Sequence, residues 1–437
     1  MLLALLRNST VGLLLALLLA GSMWFYVRRV LVPYQRADAA LHGRPRGNLS
    51  DLYPRWLGAR ELLLRHQDPY SAEITREIQT GYYGRPLNPT RPSDPKDEEG
   101  FAYPVYVVFL LAPSINLPFA VVQAGFRWLL LLLTAISVPL WLRAIGYRPR
   151  WVGIAILIIL TLGSFPAAQG LELQQLSLLV SVLIAVCLVL IACDYLWLAG
   201  IVLAVTTIKP QLVLPLVGWL GLWALSNWKK RRKLIFGFGL TMLALVVGGE
   251  LILPGWIGSF MHAVAAYRRY TNSKSILDVL TTEFLGRLLA AIVIVVVANR
   301  CWEFRRDSQD TIYFALASSL VLAATIVIVP TIAPYNQLLL LPGIFLLAGN
   351  QGILSSKNLS TRVLGIVAAA IVFWSWIAAV GLTLASFVLP PARVQQAWAI
   401  PFYTSIATPL AVLGLLFQYA FQALRSGGSQ AASGLPE

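Results

Sequence analysis

Two kinds of residue in this chain stand where they can do chemistry. The first kind is acidic. Asp51 lies near the start of "GNLSDLYPRWLGARELLLRHQDPY" (47–70), soon after the first long apolar run, and Asp68 and Tyr70 close the segment. A carboxylate at such a boundary can take a proton from a hydroxyl, or it can cap a helix. Asp68, set before Pro69 and Tyr70, also suits a turn. The second kind is basic. Lys209 interrupts the apolar stretch "VLAVTTIKPQLVLP", and Arg268, Arg269 and Lys274 gather in "AAYRRYTNSKS" (265–275). Cations at span ends suit an anion such as a phosphate, although snorkelling or plain solvation explains them nearly as well. Glu172 and Gln175, in "LELQQL", supply hydrogen-bonding groups of the sort that hold a sugar; as polar residues at a span edge they are equally ordinary.

These residues need elements to position them, and composition says which. The 437 residues are 58% hydrophobic and only 12% charged, with a mean hydropathy of +0.73. A soluble domain carries about 25% charge. Apolar runs recur to the C-terminus, so the expectation is an all-α polytopic membrane protein. The net charge of +15 does not point to nucleic acid. Basic residues cluster in short loops, "RAIGYRPRW" (143–151), "KKRRK" (229–233) and "RCWEFRR" (300–306). That is the positive-inside pattern, with anionic membrane lipids as the nearest partners. Cys187, Cys193 and Cys301 fall in or beside apolar runs, without metal-ligand spacing, and read as packing residues. His42, His66 and His262 are scattered, so no zinc site follows. No Walker loop and no GxGxxG is present, so no nucleotide site is indicated. The acidic run "DPKDEEG" (94–100) reads as a solvated loop or a site for a divalent ion, without fixed ligand spacing.

Apolar patterning places about twelve spans, near 9–27, 119–142, 151–167, 172–193, 195–208, 210–228, 234–253, 277–298, 310–330, 338–349, 363–389 and 403–424. Bulky residues in "SMWFYVRR" make a poor cleavage site, so the first span is read as uncleaved. With "KKRRK" cytoplasmic, both termini are cytoplasmic too, and the loops 28–102 and 254–276 face outside. The large outer loop with its continuation, 28–118, carries an amphipathic helix over about 52–66. That helix is expected to lie on the membrane surface, leucines down, with Asp51 at its N-cap. "FAYPVYVVFLLAPSINLP" (101–118), broken by three prolines, reads as re-entrant. The bundle proper is 119–424, and 425–437 is a disordered cytoplasmic tail.

In order along the chain, "SDLYPRWLGARELLLRHQDPY", "FAYPVYVVFLLAPSINLP", "LELQQLSLLVSVLIA" and "AGIVLAVTTIKPQLVLP" resemble the membrane glycosyltransferases of family 87. The resemblance covers roughly 45–345. It rests on an acid soon after the first span, a G-x-D-P-Y-like element, Y-P-P before a leucine run, G-Q before a span, and K-P after the next. Gln67 and Gln174 stand where glycine is usual, "YPV" lacks the second proline, and "PTIAPYNQLLLLP" (330–342) offers Tyr335 and Asn336 where a histidine is frequent.

What the resemblance implies is a GT-C-like bundle, with a mannosyltransferase-like hexose transfer from a polyprenyl-phosphate sugar to a lipid or glycan hydroxyl. The site would face the outside of the plasma membrane and need no cofactor, a divalent metal being left open. In this reading Asp51 is the general base, and Lys209, Arg268 and Arg269 hold the donor phosphate. Asp68, Tyr70, Tyr103, Glu172, Gln175, Asn272, Tyr335 and Asn336 contact substrates. The alternative is a polytopic lipid or solute transporter, a flippase, for which Glu250, Glu283 and Arg287 are the charges a midplane site would use.

Overall fold

The computed structural model describes residues 9–44, 50–271, 273–349 and 359–432. Its regular elements are all helical, as expected where backbone groups must find partners without water. Six helical stretches are long and apolar enough to cross a membrane: Thr10–Leu41, Phe119–Ala144, Trp228–Ile252, Glu283–Phe304, Arg362–Ala385 and Pro391–Gln422. A seventh is counted if Trp151–Leu162 and Phe165–Glu172, bent by 55°, form one crossing.

Length and apolarity thus support six or seven crossings, fewer than the twelve expected. Leu176–Ala192, Leu196–Thr206, Pro210–Ser226, Ile312–Ile328 and Pro334–Gly349 are apolar but short, between 10 and 17 residues. At ~1.5 Å per residue even the longest rises about 26 Å, below the ~30 Å hydrocarbon thickness. Burial differs among them: Ile312–Ile328 buries every residue from Phe314 to Val327, whereas Pro210–Ser226 leaves Leu214 and Leu225 exposed.

Close crossings use small residues. Gly200 faces the helix Trp228–Ile252, and a Cβ there would collide with the Leu234 carbonyl; Gly237 answers it against the Trp197 carbonyl. "KKRRK" is the first turn of Trp228–Ile252 rather than a free loop. Its Arg231 is 6% exposed and lies over the Trp223 ring at 3.9 Å. It donates to the carbonyls of Trp223 (2.8 Å), Arg305 (3.0 Å) and Asp307 (2.7 Å). One residue of this basic cluster is thus a clamp between two turns.

The first helix does not stop at residue 27. A π-helical turn, Val27–Leu31, carries it into Val32–Leu41. Pro33 lacks an N–H, and its ring crowds the carbonyl of Arg29, so the widened turn lets the chain continue without a sharp break. The C-terminal helix runs on to Ala432, into the stretch expected to be a disordered tail.

The segment between the first two spans folds as a lobe of two helices, Tyr53–Arg65 and Ala72–Tyr83, against the short helix Val107–Leu111. The expected helix is there, but its apolar face does not rest on lipid. Trp56, Leu57 and Leu62 are buried in protein, in the core shared with Phe101 and Tyr103. Gly58 is required because Phe101 packs where a Cβ would be. Glu250, Glu283 and Arg287 are exposed at helix ends, with Glu283 and Arg287 paired at 3.4 Å.

Candidate active site

The lobe is docked onto the bundle through Ser50 and Asp51. The Asp51 N–H donates to the Leu173 carbonyl at 3.0 Å, and the Ser50 hydroxyl donates to Gln174 Oε1 at 2.7 Å. Gln174 has φ +48°, the left-handed region where glycine is favoured. Its amide satisfies the turn from within, donating to the carbonyls of Leu171 and Glu172 at 2.6 and 2.7 Å. A position where the resembled pattern has glycine is thus a position that needs positive φ.

This docking overturns the N-cap expectation for Asp51. The N-cap of Tyr53–Arg65 is Leu52, with no side-chain cap. The Asp51 carboxylate points elsewhere: Oδ2 accepts from Gln175 Nε2 and Oδ1 accepts from the Tyr82 hydroxyl at 3.3 Å. Behind Gln175, Lys209 Nζ donates to Gln175 Oε1 at 2.9 Å and to Ser177 Oγ at 2.6 Å. Ser177 donates to Asn336 Oδ1 at 2.7 Å. Lys209 is 6% exposed and sits 5.3 Å from the Tyr335 ring centroid and 5.9 Å from that of Tyr103. Buried cations of this sort are held by hydrogen bonds and ring faces together.

These residues line one cavity of about 410 Å³: Asp51, Tyr103, Gln175, Lys209, Arg268, Tyr335 and Asn336. Seven residues proposed from the sequence are thus brought together. Others are not. Glu172 pairs with Arg127 at 3.5 Å. Asp68 accepts from the Tyr70 N–H at 2.8 Å, a turn-forming role. Tyr70, its hydroxyl donating to the Tyr103 carbonyl at 2.6 Å, and Arg269 line a second cleft instead. Asn272 lies outside the described residues.

Three cavity residues were not anticipated. Arg55 donates to the Asp51 carbonyl at 2.6 Å and stacks 4.6 Å from the Tyr103 centroid, with its Nε buried and unpartnered among the described residues. Asp97 and Glu99 line the same cavity, so the acidic run is not a solvated loop. Nor does it gather as a metal site: Asp94 turns away to Arg85 at 2.8 Å. No group of three or more metal-ligating side chains occurs among the described residues. Glu99 has φ +54°, its N–H bonded to Asp97 Oδ1 at 3.0 Å, and its carboxylate is 3.9 Å from Arg55. Burial, with Asp97 and Asp51 alongside, pushes the Glu99 carboxyl well above its ordinary range, against the pull of Arg55. Burial also raises Asp97. The signal available in the sequence was the acidic run itself, immediately before the re-entrant segment.

The cavity continues into an apolar groove of about 490 Å³. The two share Gln211, Leu214, Arg268, Val329 and Pro330, and the groove passes on to Pro215, Trp219 and Leu222 along the helix Pro210–Ser226. A carboxylate, cations and an apolar groove meet at one point, an arrangement that suits transfer of a group between an amphiphile and a hydroxyl. No curated protein and no solved structure matches the chain. The glycosyltransferase family 87 model matches residues 101–330, more than half of the chain, which therefore belongs to that family and is a membrane glycosyltransferase.

Proposed function

We propose that the enzyme moves a hexose, with mannose the expected one, from a polyprenyl phosphate to a hydroxyl of a lipid or glycan acceptor, at the outer face of the plasma membrane. The observation that carries this reading is the Asp51 carboxylate on the wall of a cavity continuous with an apolar groove.

In this reading the polyprenyl chain lies in the groove and its phosphate enters the cavity. Lys209 uses two of its three protons on Gln175 and Ser177, which leaves one for a phosphate oxygen. Arg268 at the mouth and Arg55 inside supply further donors. The acceptor oxygen attacks the anomeric carbon while its proton passes to Asp51. The bond from that carbon to the phosphate oxygen breaks, and its electron pair leaves with the phosphate. The cations stabilise that departing charge, which grows in the transition state. Gln175 and Tyr82 orient the Asp51 carboxylate. Family membership removes the reason for a transporter reading.

The test is incubation of the purified protein with radiolabelled polyprenyl phosphohexoses and a crude lipid extract. A labelled product that wild type makes and Asp51→Asn does not is expected. Equal product from both variants would remove Asp51 from the chemistry.

A further inference from the structure

A second cavity, larger at about 640 Å³, lies on the other side of the 97–102 loop. It touches none of the apolar groove. Its walls come from the helix Ala72–Tyr83, the 86–98 loop and the helix Trp256–Thr271. It meets the catalytic cavity at Gly100 and Ala102, which line both.

At Gly100 the partition is bare backbone. A Cβ added there would sit 3.8 Å from both the Thr75 hydroxyl and the Tyr270 hydroxyl, an ordinary contact. A small space is therefore left open between polar groups of two different helices.

The charges around this cleft do not balance. Arg76, Arg91, Lys96 and Arg269 face Asp94 and Glu98. Asp94 is already taken by Arg85, at 2.8 Å, and Arg91 reaches it only at 4.0 Å. Arg76, Lys96 and Arg269 have no ion pair among the described residues. Tyr70 and Tyr270 add ring faces, and Asn88 adds an exposed amide. Ring faces with amides and hydroxyls suit a sugar, and unpaired cations suit an anion.

We propose that this cleft is the acceptor subsite and that it takes a saccharide bearing a phosphate or a carboxylate. The inference rests on the reaction proposed above. With the donor lipid occupying the groove, the acceptor needs another entrance, and the cleft adjoins the Asp51 cavity at Gly100 and Ala102. The reacting hydroxyl crosses at Gly100 to reach Asp51, while the anionic part of the acceptor stays among Arg76, Lys96 and Arg269.

The experiment uses the full-length protein in nanodiscs. The probes are a trihexoside bearing one phosphodiester, its uncharged counterpart, and the same phosphodiester trihexoside on a diacylglycerol. Wild type should bind both charged probes at least tenfold more tightly than the uncharged one. Arg76→Glu and Lys96→Glu, both at exposed positions, should each lose about tenfold or more for the charged probes, the range for a hydrogen bond to a charged group. Gly100→Leu should lower transfer at least tenfold. Equal binding of charged and uncharged probes, wild-type binding by both charge reversals, binding of the diacyl probe alone, or unchanged transfer in Gly100→Leu would each overturn the assignment. Donor hydrolysis to water, followed in the same preparation, separates the two readings. Protein that hydrolyses the polyprenyl phosphohexose but ignores the charged probes overturns the cleft alone. Protein that binds the probes yet neither transfers nor hydrolyses overturns the reaction.

Discussion

One side-chain amide stands between Asp51 and Lys209. Gln175 donates to the carboxylate through Nε2 and accepts from the ammonium through Oε1 at 2.9 Å. The proposed base and the proposed phosphate ligand are thereby fixed relative to each other, although one belongs to the lobe and the other to the bundle.

Asp51→Asn tests the base. The amide oxygen can still accept from Gln175, so the docking of the lobe should survive and thermal stability in detergent should change little. The proton acceptor is gone, and transfer should fall by about a hundredfold or more. A folded variant with near wild-type transfer returns the carboxylate to a docking role.

Lys209→Met tests the phosphate ligand. The thioether chain fills similar space, but two buried hydrogen bonds and the charge are lost. Use of the polyprenyl phosphohexose should weaken about ten- to hundredfold, as for loss of a charge-assisted contact. Arg268→Ala, at an exposed position, should cost less, because solvent screens it. Unaltered donor kinetics in Lys209→Met would assign the lysine to packing alone.

Glu99 gives a pH prediction whose sign follows from its raised pKa. The folded state holds the proton more tightly than the unfolded chain, whose glutamate titrates near 4.3. The stabilising contribution of protonated Glu99 is complete below that value and is lost as pH rises toward the folded-state pKa. Glu99→Gln, which cannot ionise, should therefore gain melting temperature relative to wild type at pH 8, and the gain should shrink toward pH 4. Melting curves at both pH values check this, and a gap independent of pH would contradict it.

The proposed sidedness is open to labelling. In a cysteine-free background, Ser93→Cys should react with an impermeant maleimide on intact cells, and Lys230→Cys only after lysis. Both positions are exposed. The reverse pattern would place the cavity on the cytoplasmic side.

The sequence was most legible where a polar residue interrupts an apolar run. Lys209 was singled out this way, because burial of such a group needs partners and a reason; Gln175 was named as a polar residue at a span edge, and Asn336 through the resemblance. Asp51 was found by its place after the first span, but its partner was not: that depends on how the turn at Gln174 meets Ser50. Arg55 and Glu99 were missed for the same cause. Each looks like a surface charge until tertiary packing folds the 94–100 run inward. Length and apolarity support six or seven crossings where twelve were expected; hydropathy alone does not separate a spanning helix from one buried in protein, as Ile312–Ile328 is.

The continuous first helix sets a height. Thr10–Leu41 holds 32 residues, or about 48 Å of axis at ~1.5 Å each, and ~45 Å at a typical ~20° tilt. The hydrocarbon takes ~30 Å of that. The remainder stands above it as a post. At its top, the carbonyls of His42 and Gly43 accept from Arg85 at 3.3 and 3.2 Å, and Arg85 in turn grips Asp94 on the wall of the polar cleft. The length of the first helix therefore acts as a ruler for how far above the lipid tails the cleft opens and, in the proposed reaction, for the distance a membrane-anchored acceptor must lift its sugar to be used.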